Sequence, residues 1–202
     1  MNSATKEGGT TIWLSSDMAS LSAPARQNAP VAKPNMRKPC TPPCVIDIEA
    51  SGFGAGSYPI EIGYVTADGR TSCTLVLPAD GWQHWDAGAE RVHGISRANL
   101  LAYGRPVSEV AGLLNRDLAG QTVYCDGWAH DYSWLARLFD QAECSPAFKL
   151  ESIHALLNDS ALARLDAARR AALAEMGLTR HRASNDARAL QQAVLRVVGT
   201  AV

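Results

Sequence analysis

The sequence predicts an α/β protein, a three-layer sandwich with a central five-stranded mixed sheet flanked by helices. Two patterns carry that expectation: a meander of three short strands, then helices alternating with further strands. Size and composition agree, since 202 residues with 47% hydrophobic side chains leave room for one well-cored domain.

Residues 1–40 are rich in Ser, Ala, Pro, Asn and Thr and carry only the apolar patch Ile12-Trp13-Leu14. A segment so poor in burial does not offset its ordering entropy, so it reads as a disordered N-terminal tail before a domain over 41–202. Met36 offers an alternative start to a compact version of the protein. Cys44-Val45-Ile46-Asp47-Ile48-Glu49 is an apolar strand with two acids set into it, and its apolar character predicts the sheet centre. Pro59 to Thr66 reads as the second strand, Asp68-Gly69 as a hairpin turn, and Thr71 to Leu77 as the third strand.

Helical material follows at Ile95–Leu101 and at Pro106–Leu118, where Val107, Val110, Leu113 and Leu114 share a face. Gln121 to Cys125 is a fourth strand, and Asp131 to Gln141 a helix with Trp134, Leu135, Leu138 and Phe139 toward the core. Phe148-Lys149-Leu150 reads as a fifth strand, and Ser152 to Met176 as helix with a break near Asn158-Asp159-Ser160. The last helix has Ser184 as expected N-cap and Ala187, Leu190, Val194 and Val197 on its apolar face.

The formal net charge of −1 argues against a protein that coats long nucleic acid, but leaves room for a local groove or a short substrate. Five cysteines, odd in number and irregular in spacing, argue against a disulfide framework and for a reducing compartment, the cytoplasm. No apolar run reaches the roughly 20 residues of a membrane span, so no membrane association is expected.

Chemistry concentrates at three places: Asp47 with Glu49, then Asp131, then His181 with Asp186. Asp47 and Glu49 lie two apart on a strand, so their carboxylates leave the same face. Buried and unpaired they would be costly, and a bound cation relieves that cost. Alone, the pair is equally compatible with a strand end meeting arginine partners. Asp131 alone would be an ordinary helix N-cap or first-turn acid, and Asp126, at the strand end, competes with it. The core face of the helix after Asp131 favours Asp131. His181 and Asp186, five apart, do not share a regular helix face. His181 therefore belongs on the loop before the helix and Asp186 in its first turns. Hard oxygen donors without cysteine favour Mg²⁺ or Mn²⁺, and a loop histidine suits general-base work. Arg180 and Arg182 flank it as candidate phosphate contacts.

With these positions set, the chain resembles the DEDDh 3′–5′ exonucleases, which include the proofreading subunit of bacterial replicative polymerase, oligoribonuclease and ribonuclease T. The first motif matches Asp47-Ile48-Glu49-Ala50-Ser51-Gly52-Phe53, the second Asp131 with Trp134-Leu135, and the third His181-Arg182-Ala183-Ser184-Asn185-Asp186. Pro59-Ile60-Glu61-Ile62-Gly63 and Val92-His93-Gly94-Ile95-Ser96 are lesser matches. Each motif is weak alone, but the ordered set over about 44–199 is specific. Two departures stand out: Ala50 replaces the usual Thr, and Asp126-Gly127 stands where a His-Asn pair is usual.

The resemblance implies a ribonuclease H-like fold and cleavage from the 3′ end of single-stranded or short nucleic acid, releasing nucleoside 5′-monophosphates. It implies two Mg²⁺ or Mn²⁺ ions held by Asp47, Glu49, Asp131 and Asp186, with His181 as the base. It implies substrate contacts from Ser51, Gly52, Phe53, His93 and Arg182, with Phe53 as a base-stacking ring. Homodimers are frequent among the enzymes it resembles, though no dimer surface is legible here. The rivals are a non-catalytic nucleic-acid-binding module on the same fold and a ribonuclease H-type endonuclease. The choice between RNA and DNA is not written in the sequence.

Overall fold

A computed structural model describes residues 41–199. The expected tail, residues 1–40, therefore lies outside the described residues. The first strand, β1 (Cys44–Ala50), pairs antiparallel with β2 (Pro59–Val65), which pairs antiparallel with β3 (Thr71–Leu75). On its other edge β1 pairs parallel with β4 (Thr122–Cys125), and β4 pairs parallel with β5 (Lys149–Ser152). The order β3-β2-β1-β4-β5 puts β1 third of five, at the centre that its apolar sequence predicts.

Helices cover both faces. Ile46 and Ile48 of β1 join a core with α3 (Val107–Leu118) and α4 (Trp128–Gln141). Val45 faces the opposite way, into a core with α5 (Asp159–Glu175) and α6 (Ala183–Gly199). Strand alternation puts Asp47 and Glu49 on the Val45 face, under the start of α6. A register shift follows at Glu49/Ala50, the kind of bulge that ends pairing and re-aims a side chain.

Several boundaries differ from the sequence expectation. The helix Ala87–His93 (α1) was not expected, because Val92 is its one large aliphatic side chain. Its ends make it: the Asp86 side chain accepts from the Gly88 and Ala89 N–H groups, and Gly94, at φ 69°, caps the other end. A further helix, α2 (Arg97–Tyr103), overlaps the expected stretch and is capped by Ser96. The α4 helix starts at Trp128 rather than Asp131, so Asp131 stands in its first turn. The last strand is shifted toward Ser152 and runs into a 3₁₀ turn, Ile153–Leu156. Ser184 is not the N-cap of α6, since the helix begins at Ala183 with Asp186 N–H donating to the Arg182 carbonyl at 3.0 Å.

Candidate active site

Parallel β1 and β4 end side by side, and the chain leaves them in opposite directions, β1 toward β2 and β4 toward β5. A crevice at such carboxyl ends is the natural ligand site of an open α/β sheet. A cavity of about 540 Å³ lies there, lined among others by Asp47, Glu49, Asp131, His181 and Asp186. Gly52, Phe53 and His93 line it as well, whereas Ser51 and Arg182 do not.

The start of α6 is fixed by β2. An added Cβ on Gly63 would lie 2.1 Å from the Ser184 nitrogen and 2.3 Å from the Ala183 carbonyl carbon, so only glycine admits the helix there. Gly63 pairs with Asp47, which brings α6 directly over that acid. Glu61, fully buried, accepts from the Ala183 N–H at 2.8 Å and from the Arg182 guanidinium at 2.6 and 3.1 Å. Arg182 is thus committed to a buried carboxylate and points away from the cavity. His181 takes a left-handed conformation, φ 62°, and its N–H donates to Asp186 Oδ2 at 2.6 Å. That turn is what brings residues five apart to one place.

Donor atoms of Glu49, His181 and Asp186 lie within 4.8 Å of one another, a grouping able to hold a metal ion. The acids are poorly compensated. Burial, reinforced by Asp131, Glu49 and Asp186, holds the Asp47 carboxyl well above the usual carboxylate range. Burial, with Asp186 and Glu61 nearby, pushes Glu49 up to about 7, and burial does the same to Asp131. Gly127 leaves space for this last carboxylate, since a Cβ there would stand 3.2 Å from Asp131 Oδ2.

Among the described residues, Arg169 on α5 is the one cation buried among these acids, with its side chain 13% exposed. It pairs with Asp126 and with Asp186 Oδ1, the latter at 3.0 Å. Nothing in the sequence sets Arg169 apart from the other arginines of α5. Asp126 sits in the turn between β4 and α4, and it too lines the cavity.

The remaining lining is aromatic and imidazole. Phe53, 67% exposed, meets His130 edge-on at 5.1 Å and Trp134 at 5.9 Å. His93 accepts the Ile95 N–H on Nδ1 at 3.0 Å, which leaves its buried Nε2–H without a well-formed partner beside the cavity. Burial lowers the His93 pKa and favours the neutral ring. Ser51 is buried instead: its Oγ accepts the Tyr58 N–H at 3.1 Å and lies 3.1 Å from His84 Nδ1. Gly52, at φ 141°, lets the Asp86 loop approach, since a Cβ would lie 2.7 Å from both Asp86 Cβ and His84 Cε1.

No protein-family model matches the chain, and no curated protein matches it by sequence. Solved structures of exonuclease I share its fold. The chain is 15% identical to the zinc-ion-bound E. coli exonuclease I–ssDNA complex, covering 73% of this chain and 38% of that one at a TM-score of 0.53. Another exonuclease I structure gives 14% identity, coverage of 77% and 42%, and a TM-score of 0.57. The E. coli enzyme in complex with a dT13 oligonucleotide gives 15%, 76% and 40%, and 0.56. The chain spans about two fifths of the length of these proteins. What it shares with them is the mixed five-stranded sheet flanked by helices, the ribonuclease H-like fold of these exonucleases. Among the described residues no helix is long and apolar enough to cross a membrane.

Proposed function

We propose that this chain is a DEDDh-type 3′–5′ exonuclease that needs divalent metal and releases nucleoside 5′-monophosphates from single-stranded or short nucleic acid. The observation that carries the reading is the convergence of Asp47, Glu49, Asp131, His181 and Asp186, from three separate motifs, on one cavity. The polarity and product come from the motif resemblance, and the single-stranded DNA in the exonuclease I complexes favours a single strand here as well.

The donor set fits a hard divalent cation. Four carboxylates and a histidine face one space, and three of the acids hold protons too tightly for an unpaired cluster at neutral pH. Two Mg²⁺ or Mn²⁺ ions held there by Asp47, Glu49, Asp131 and Asp186 would supply charge for the phosphate and acidify the attacking water. His181, held at the cavity by its left-handed turn, would accept the proton of the attacking water. Phe53 stacks on the terminal base, and the His93 Nε2–H stands ready to donate to the substrate. Arg169 offsets part of the acidic charge without filling the site.

A 5′-labelled single strand incubated with Mg²⁺ tests this directly. A ladder shrinking from the 3′ end is expected, and internal cuts or an intact strand would refute it. His181→Ala should slow trimming by about 10²–10⁴-fold, the usual contribution of a general base.

A further inference from the structure

Trp128 and Tyr132 stand on the solvent side at the opening turn of α4, 43% and 54% exposed. Their rings stack with centroids 5.3 Å apart and an interplanar angle of 27°. Their spacing of four residues puts both on one flank of the helix. Each follows a residue of the candidate active cavity, Trp128 after Gly127 and Tyr132 after Asp131. On the opposite flank His130 and Trp134 stack at 5.6 Å and meet Phe53. Asp131 therefore stands between two aromatic pairs.

The charge around the cavity is not suited to gripping a long polyanion. Six carboxylates line it, from Asp47, Glu49, Asp86, Asp126, Asp131 and Asp186, against two guanidinium groups. One of the two, Arg169, is already paired with Asp126 and Asp186. Among the described residues Arg180 is the one guanidinium of the lining without an ion pair.

We propose that the Trp128–Tyr132 pair is a stacking platform for bases upstream of the 3′-terminal nucleotide, so that this chain holds a single strand by its bases more than by its phosphates. The inference rests on the exonuclease reading for the direction of the strand. The occupant is single-stranded because bases within a duplex already stack on one another. Each base stacked on an aromatic side chain is worth about 1–3 kcal/mol by alanine substitution, with little regard to sequence. Few phosphate contacts also mean a shallow salt dependence.

The test compares kcat/KM for a thymidine dinucleotide and an octanucleotide in Mg²⁺, for the intact chain, Trp128→Ala and Tyr132→Ala. Each variant should lower the octanucleotide-to-dinucleotide ratio about tenfold, within the range of one stacked base. Raising salt from about 50 to 200 mM should cost the intact chain less than about tenfold on the octanucleotide, against the 10³–10⁵-fold of a protein with many phosphate contacts. An unchanged ratio in both variants, or a steep salt dependence, overturns the platform. So does a sedimentation shift in Trp128→Ala with the ratio intact, which would place the pair between two copies of the chain. If neither oligonucleotide is cleaved, the exonuclease reading fails and stacking is read by fluorescence instead. Quenching by the octanucleotide that disappears in Trp128→Ala then supports the platform, and no quenching overturns it.

Discussion

A guanidinium beside the histidine proposed as the base is chemically suited to a phosphate, yet Arg182 serves a buried carboxylate. Glu61 is fully buried, and its oxygens are satisfied by Arg182 Nε and Nη2 and by the Ala183 N–H. Removing the arginine strands a charge inside the protein, which costs more than the loss of a surface contact. Arg182→Ala should lower stability by about 1–3 kcal/mol, the lower part of the range applying because Arg182 is itself half exposed. The measurement is the denaturant midpoint at unchanged slope. Lysine at this position should restore only part of the loss, because it cannot make the forked contact. An unaltered midpoint combined with a raised KM would instead assign Arg182 to the substrate. Arg169 shows the complementary case. Its role depends on where α5 crosses the cavity, and no spacing in an Ala/Leu/Arg-rich helix marks that crossing.

At the scale of elements, the site is assembled by how closely α6 approaches the sheet. Gly63 sits on β2 opposite Asp47, and the first residues of α6 lie where its Cβ would be. The contact is backbone against backbone, so no side-chain rotation relieves it. Gly63→Ala should push the start of α6 away, separating His181 and Asp186 from Asp47. The expected outcome is loss of cleavage by at least about 10²-fold, as small misplacements of reacting groups bring, together with a lower melting temperature. Retention of full activity would show that α6 is free to adjust.

Part of this assembly is legible in the sequence. Strand alternation places Asp47 and Glu49 on one face, and the central position of β1 follows from its apolar run. The approach of α6 over Gly63 is a long-range fact and leaves no local pattern. Helix α1 leaves no apolar period in the sequence, because its signal lies in its caps, Asp86 and Gly94. The start of α4 is hidden for the opposite reason: Gly127 gives no side-chain cap, whereas Asp131, in the first turn, has the chemistry of one.

For the molecule as a whole, the cavity concentrates acids that the fold has not neutralised, and this couples pH, metal and stability. Glu49 and Asp131 both have native pKa values of about 7, raised by burial above those of an unfolded chain. A group raised in this way stabilises the native state fully below its unfolded pKa, and that contribution is lost as pH rises through the native value. Asp47 acts in the same direction. The metal-free protein should therefore lose stability between about pH 5 and 8. A divalent cation binds the ionised carboxylates, so it competes with protons for the same oxygens. Added Mg²⁺ should raise the melting temperature little at about pH 5.5 and much more at about pH 8. Thermal scans with and without Mg²⁺ across that range measure both effects at once. A Mg²⁺-induced shift independent of pH would mean that the ion binds elsewhere, and a metal-free chain most stable at high pH would mean that Arg169 already neutralises the cluster.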